Sequence, residues 1–154
     1  MIYWMPHAQS EGLPDGDLST LGYNQAHKAA VWLAEKTIHS IRHSTDSEAE
    51  RTAEIITRVL EDADIQPDRR LNVVAHAISR ATLLTVSKFL DDTEAGTLVI
   101  SRPDSLLDVL PRLCVNAAAL QRVSTPHPTG LILLERYSLR RYTCHAWDLR
   151  EHLR

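Results

Sequence analysis

A chain of 154 residues and 17.4 kDa, 44% hydrophobic and 24% charged, has the size and balance of one folded domain and is neither disordered nor collagen-like. Seventeen Lys and Arg against twenty Asp and Glu give a formal charge of −3, without the basic footprint of a nucleic-acid or membrane-surface binder. Two cysteines, Cys114 and Cys144, are too few for a disulfide scaffold, no stretch approaches the roughly 20 apolar residues of a spanning helix, and the five apolar residues from Met1 are too few for a signal peptide, so a reduced cytoplasmic setting is expected.

Ile2 to Met5 reads as a short buried strand, followed by a Gly-, Pro- and Asp-rich loop from Ala8 to Asp17 that suits a site-lining segment. Ser19 or Thr20 then caps a helix whose apolar face is Ala26, Ala29, Ala30 and Leu33. Ile38 to His43 is a second strand. Thr45 with Glu48 three residues on has the form of a capping box, and Ala49, Thr52, Ala53, Ile56, Val59 and Leu60 form the inward face of the helix behind it. A turn over Pro67 to Arg70, a third strand from Leu71 to Ala75 and a third helix from Ile78 to Leu90 complete the alternating part. Residues 92–113 stay undecided, with Pro103 and Pro111 bounding a short helix. Val115 to Val123, Leu131 to Ser138 and Arg141 to Trp147 read as strands, and an apolar face on them would suit a homodimer if exposed. The alternation predicts a single α/β domain over residues 1–154, three-layered, with a mostly parallel sheet between helices.

In an open sheet of this kind ligands bind at the carboxyl ends of the strands. His7, the segment from His43 to Glu48, and His76 fall there. Two histidines at equivalent points of a βα repeat suit a nucleophile and its partner, or an acid and a base.

Four stretches resemble the histidine phosphatase superfamily, the phosphoglycerate mutase-like fold, and the size is that of its compact phosphohistidine phosphatases. Met5-Pro6-His7-Ala8-Gln9-Ser10 stands where the family has Arg-His-Gly-Glu-Thr. Leu18-Ser19-Thr20-Leu21-Gly22-Tyr23-Asn24-Gln25-Ala26 is similar to Leu-Thr-x-x-Gly-x-x-Gln-Ala. Ser44 to Glu54 resembles Ser-Pro-Leu-x-Arg-Ala-x-x-Thr-Ala-Glu, and Val73-Val74-Ala75-His76-Ala77 resembles Val-Val-Ser-His-Gly. The resemblance implies a phosphoryl-accepting His7, with His76 as the second histidine, and no metal or other cofactor. A divalent ion held by His7, His76 and Glu48 is the lesser alternative.

The departures fall on the phosphate pocket. The family's two arginines are replaced by Pro6 and Glu48, and its two glycines by Ala8 and Ala77. Arginine serves there because its planar fork makes bidentate, charge-assisted bonds to phosphate. A carboxylate about 5 Å from a phosphate oxygen repels it by about 3 kcal/mol per unit charge at an effective dielectric of about 20. A lost charge-assisted bond costs about 1.5–3 kcal/mol more. The segment between Ala53 and Val73 is also too short for the acid-donor region of larger members. Arg42, Arg51 and Arg80 are candidate stand-ins, with Gln9 and Ser10 as further ligand-binding groups. Arg51, one turn beyond Glu48, could instead neutralise it. The expected function is a degenerate member with a non-phosphatase role. It would be a binding or regulatory module for a small molecule or protein partner, or an acid–base site built on His7, His76 and Glu48. A weak phosphohydrolase using His7 is the alternative.

Overall fold

The computed structural model describes residues 1–12, 17–73 and 78–154, leaving aside the side chains of residues 104 and 105. Six strands, β1 (Ile2–Pro6), β2 (Ser40–His43), β3 (Asp64–Pro67), β4 (Thr97–Ser101), β5 (Leu131–Ser138) and β6 (Arg141–Leu149), form one sheet in the order β3-β2-β4-β1-β5-β6. The first four in that order are parallel, and β5 and β6 continue antiparallel from β1. Four helices flank it: α1 (Thr20–Ala34), α2 (Ser47–Thr57), α3 (Arg80–Asp91) and α4 (Pro103–Leu113). The expected three-layer α/β architecture is thus the observed one.

The pleat sends alternate residues to opposite faces, and both faces are covered. Met5, Ile41, Leu98 and Ile100 pack with Ala29, Ala30 and Leu33 of α1 and Ala49, Ala53 and Ile56 of α2. Ile2, Trp4, Val99, Ile132 and Leu134 pack with Val86, Phe89 and Leu90 of α3 and Leu106, Val109 and Leu110 of α4. The inward residues of β5 and β6 are therefore core. The exposed large side chains there are Tyr137 and Leu139, 70% and 72% accessible at the hairpin tip.

Three local expectations change. The central strand β4 lies inside the undecided stretch, where Thr97-Leu98-Val99-Ile100-Ser101 is buried at every position, as a strand covered on both faces must be. Leu71 instead closes a single 3-10 turn, Arg69–Leu71, and Asn72 and Val73 belong to no strand; Val74 and Ala75 lie outside the described residues. Residues 115–123 hold a short 3-10 turn, Ala117–Leu120, because an alanine run favours a helical turn over a pleat. Cys114 still touches β6 through an isolated bridge to Tyr142.

Candidate functional site

The topology marks one crevice. The helix after β1 packs on one face of the sheet and the helix after β4 on the other, although β1 and β4 are neighbours. Chain segments that leave adjacent strands toward opposite faces open a cleft at the carboxyl ends, where open α/β sheets bind ligands. His7 follows β1 there. Arg102 follows β4 there. The parallel register pairs Met5 with Ile100 and Pro6 with Ser101, and the His7 backbone N–H continues it by donating to the Ser101 carbonyl at 2.9 Å. One pleat further on, His7 and Arg102 are lateral neighbours.

His7 is half-buried, with its Nδ1 2.8 Å from the Ala8 carbonyl oxygen. A carbonyl can only accept, so Nδ1 carries a proton. His43, at the end of β2, repeats the device with Nδ1 2.8 Å from the Ser44 carbonyl, but its side chain is buried.

The loop behind His7 is clamped to two helices. The buried Ala8 N–H donates to Thr52 Oγ1 at 3.0 Å, and that hydroxyl donates to the Glu48 carbonyl at 2.7 Å. Gln9 donates its N–H to Gln25 Oε1, and its carbonyl accepts from both the backbone and the hydroxyl of Ser19. Gly22 lies so close that a Cβ there would stand 1.9 Å from the Gln9 carbonyl oxygen. Ser10 pairs with Leu18 in an isolated bridge. From the other side, Thr129 donates its N–H to the Pro6 carbonyl at 3.2 Å. Thr129 sits at φ 60°, a costly conformation for a β-branched residue, and is fully buried.

Glu48 is half-buried in the first turn of α2, where its charge favours the helix dipole. The capping box is replaced by a simpler cap. Asp46 is the N-cap, accepting from Ala49 N–H at 3.1 Å, because Thr45 is drawn off to Asn72, which it meets through both backbone and hydroxyl. Glu48 therefore sits one residue inside the helix, and among the described residues its carboxylate approaches only the Ser47 hydroxyl, at 3.5 Å.

The candidate arginines separate. The Arg42 guanidinium reaches back to Asp64 Oδ2 at 3.1 Å, beside the amino end of β2. Arg51 is held by Glu54 at 2.8 Å and by the Tyr23 hydroxyl at 3.0 Å, contacts that raise its pKa further above the arginine range, and it lies 3.9 Å from Asp17. Glu48 is not among its partners. Arg80 begins α3, exposed and without a partner among the described residues. His76 and Ala77 lie outside the described residues. No three His, Cys, Asp or Glu side chains gather into a metal-holding group among the described residues.

Comparison with known proteins accounts for this frame. The family model of the histidine phosphatase superfamily (branch 1) matches residues 4–76. Over that stretch, just under half of the chain, the sequence is similar to this superfamily. YhfR of Bacillus stearothermophilus is similar in structure at a TM-score of 0.78 and 17% identity, over 99% of this chain and 98% of that one. The protein histidine phosphatase SixA complexed with tungstate is similar at a TM-score of 0.74 and 17% identity, over 99% of both chains. A putative phosphohistidine phosphatase SixA from Agrobacterium tumefaciens reaches 0.69 at 16% identity, over 94% of both. At such identities these likenesses show the fold. Among curated proteins there is no match.

Within the histidine phosphatase fold, His7 stands at the end of β1 as the motif requires, and Pro6 beside it is buried in the strand. The residue that sequence reasoning missed is Arg102. The signal was present: Thr97-Leu98-Val99-Ile100-Ser101-Arg102 repeats the plan of Ile2-Tyr3-Trp4-Met5-Pro6-His7, an apolar strand ending in a basic side chain.

Proposed function

We propose that the chain is a degenerate histidine phosphatase that retains an oxyanion site, formed by His7 and Arg102, and serves as a binding module for a phosphorylated ligand. The supporting observation is the register that sets Arg102 beside His7 at the β1–β4 switch point. Arginine next to the His7 imidazole would offer a phosphoryl group a charge-assisted fork and one further polar contact. Pro6 and Glu48 stand where the family has its pocket arginines, so charge developing on the equatorial oxygens during transfer meets less stabilisation than in active members. Holding a phosphoryl group and turning it over are thereby separated. The tungstate in the SixA relative fits the same chemistry, an oxyanion on this fold.

One observation favours a second reading, a slow phosphohydrolase. The Nδ1–Ala8 bond selects the tautomer in which a neutral ring keeps its lone pair on Nε2, the form in which imidazole attacks phosphorus. The test is a pair of measurements on the whole chain: calorimetric titration with inorganic phosphate, and hydrolysis of an aryl phosphate. The binding-module reading expects saturable phosphate binding that Arg102→Ala weakens about tenfold or more, with hydrolysis near background. Turnover comparable to active phosphatases, abolished in His7→Ala, would overturn it in favour of the enzyme.

A further inference from the structure

One stripe of α2 faces the loop after β1. Ile55 packs with Ala8, Leu18 and Ala26. Nearer the amino end of the helix, Thr52 is fully buried and its hydroxyl joins the two elements, accepting from the Ala8 N–H at 3.0 Å and donating to the Glu48 carbonyl at 2.7 Å. Glu48, Thr52 and Ile55 are spaced by four and three residues, so they share that face. Glu48 is the outermost of the three. It stands in the first turn of α2, beyond the carboxyl end of β2, which is also the end where His7 and Arg102 leave the parallel strands β1 and β4. Side chains lean toward the amino end of their helix, so the Glu48 carboxylate leans out toward that end of the sheet, above the loop that begins with His7 and Ala8. Its approach to the hydroxyl of Ser47, the residue before it, agrees.

The carboxylate has no cation. Among the described residues, no Lys, Arg or His forms an ion pair with Glu48. Arg51, the cation nearest in spacing, is drawn to Glu54 at 2.8 Å and to the Tyr23 hydroxyl at 3.0 Å, and Arg42 is held by Asp64 at 3.1 Å. A single polar contact at 3.5 Å leaves most of the acceptor capacity of the two oxygens unfilled. The helix dipole accounts for acidic residues in this turn, but Glu50 serves it equally and is exposed to water, whereas Glu48 is half-buried. A carboxylate in that position repels a plain phosphate at the neighbouring strand ends and attracts a ligand that brings its own positive charge.

We propose that Glu48 sets the specificity of this cleft, and that its ligand is a phosphate monoester carrying an ammonium group, with the phosphoryl group on His7 and Arg102 and the ammonium on the Glu48 carboxylate. Such a ligand supplies the missing cation and turns the repulsion into a charge-assisted contact. The inference rests on the reading of His7 and Arg102 as an oxyanion site.

The probes are two pairs matched in length, phosphoethanolamine with propyl phosphate and aminobutyl phosphate with pentyl phosphate, in which an ammonium group replaces the terminal methyl. They are titrated calorimetrically at low salt against wild type, Glu48→Gln, Glu50→Gln and Arg102→Ala. In wild type the ammonium member of at least one pair binds about tenfold more tightly than its alkyl partner, the gain of one charge-assisted contact. Glu48→Gln keeps the shape and removes the charge, so it abolishes that preference while the alkyl phosphates bind at least as tightly as before. Glu50→Gln, in the same turn, keeps the preference. No preference in either pair, a preference that survives Glu48→Gln or is lost equally in Glu50→Gln, or a loss in Glu48→Gln that the alkyl phosphates share overturns this inference alone. Absence of binding by all four probes, or binding indifferent to Arg102→Ala, overturns the His7–Arg102 reading and this inference with it.

Discussion

Gly22→Ala sets two effects of opposite sign against each other. Gly22 lies in the first turn of α1, and helix propensity alone favours alanine there by about 1 kcal/mol. Against that, the new Cβ would stand 1.9 Å from the Gln9 carbonyl oxygen, 2.9 Å from its carbon and 3.1 Å from its nitrogen. All three are backbone atoms, so no side chain can rotate away. Relief requires the segment carrying Gln9 to retreat by about an ångström. The retreat stretches both hydrogen bonds from Ser19 onto the Gln9 carbonyl, at 3.0 and 3.2 Å, and the bond from Gln9 N–H to Gln25. Two or three such bonds are worth about 0.5–1.5 kcal/mol each, and residual overpacking adds about 1–3 kcal/mol. After subtracting the propensity gain, the net destabilisation is about 1–6 kcal/mol. For a chain of this length each kcal/mol is about 2–4 °C, so Tm falls by roughly 2–25 °C in a calorimetric scan. His7 is two residues from the displaced atom, so phosphate binding weakens with it. An unchanged or raised Tm would refute the claim that the loop after β1 is clamped onto α1.

Thr52→Val keeps the shape of a fully buried side chain but strips the acceptor from the buried Ala8 N–H; it costs about 1–3 kcal/mol in urea unfolding, whereas Thr52→Ser, which restores a hydroxyl, recovers most of the loss. Burial pushes the Cys114 thiol up to about 12, so in the native protein at pH 8 it reacts with an aromatic disulfide reagent only at the rate of unfolding, and promptly in denaturant. Burial also holds the His152 imidazole below its ordinary range. The unfolded chain then binds the extra proton first, so this contribution to stability is complete above about pH 6.5 and declines as the pH falls below it. Tm measured from pH 7.5 to 5 has a shallower acid slope in His152→Gln than in wild type, and parallel slopes would refute the assignment.

The fold was legible where local chemistry and tertiary context agree. Of the two cap candidates, Ser19 and Thr20, Ser19 caps α1, accepting from Gly22 N–H, and β5 spans Leu131–Ser138 as expected. The α2 start was displaced by one residue because a tertiary bond no sequence pattern announces, Thr45 to Asn72, removes Thr45 from competition with Asp46. β4 was obscured for a different reason. A five-residue stretch with only three apolar residues, Leu98 to Ile100, has no period by which strand and helix can be told apart, yet it is the strand between β1 and β2. Since β4 delivers Arg102, missing it meant missing a residue of the proposed site. Arg51 was misleading in its spacing alone: one turn from Glu48 is also one turn from Glu54, and Tyr23 on α1 favours the latter arrangement.

The central claim is that His7 and Arg102 jointly hold an oxyanion at the β1–β4 switch point. Crystals soaked in tungstate test it directly, because the anomalous signal locates the ion without reference to any assay. The account predicts one tungstate at the carboxyl ends of β1 and β4, within hydrogen-bond reach of His7 Nε2 and the Arg102 guanidinium, and lost in Arg102→Ala crystals. Tungstate bound instead at Arg42 or Arg80, or retained at His7 in the absence of Arg102, would contradict it.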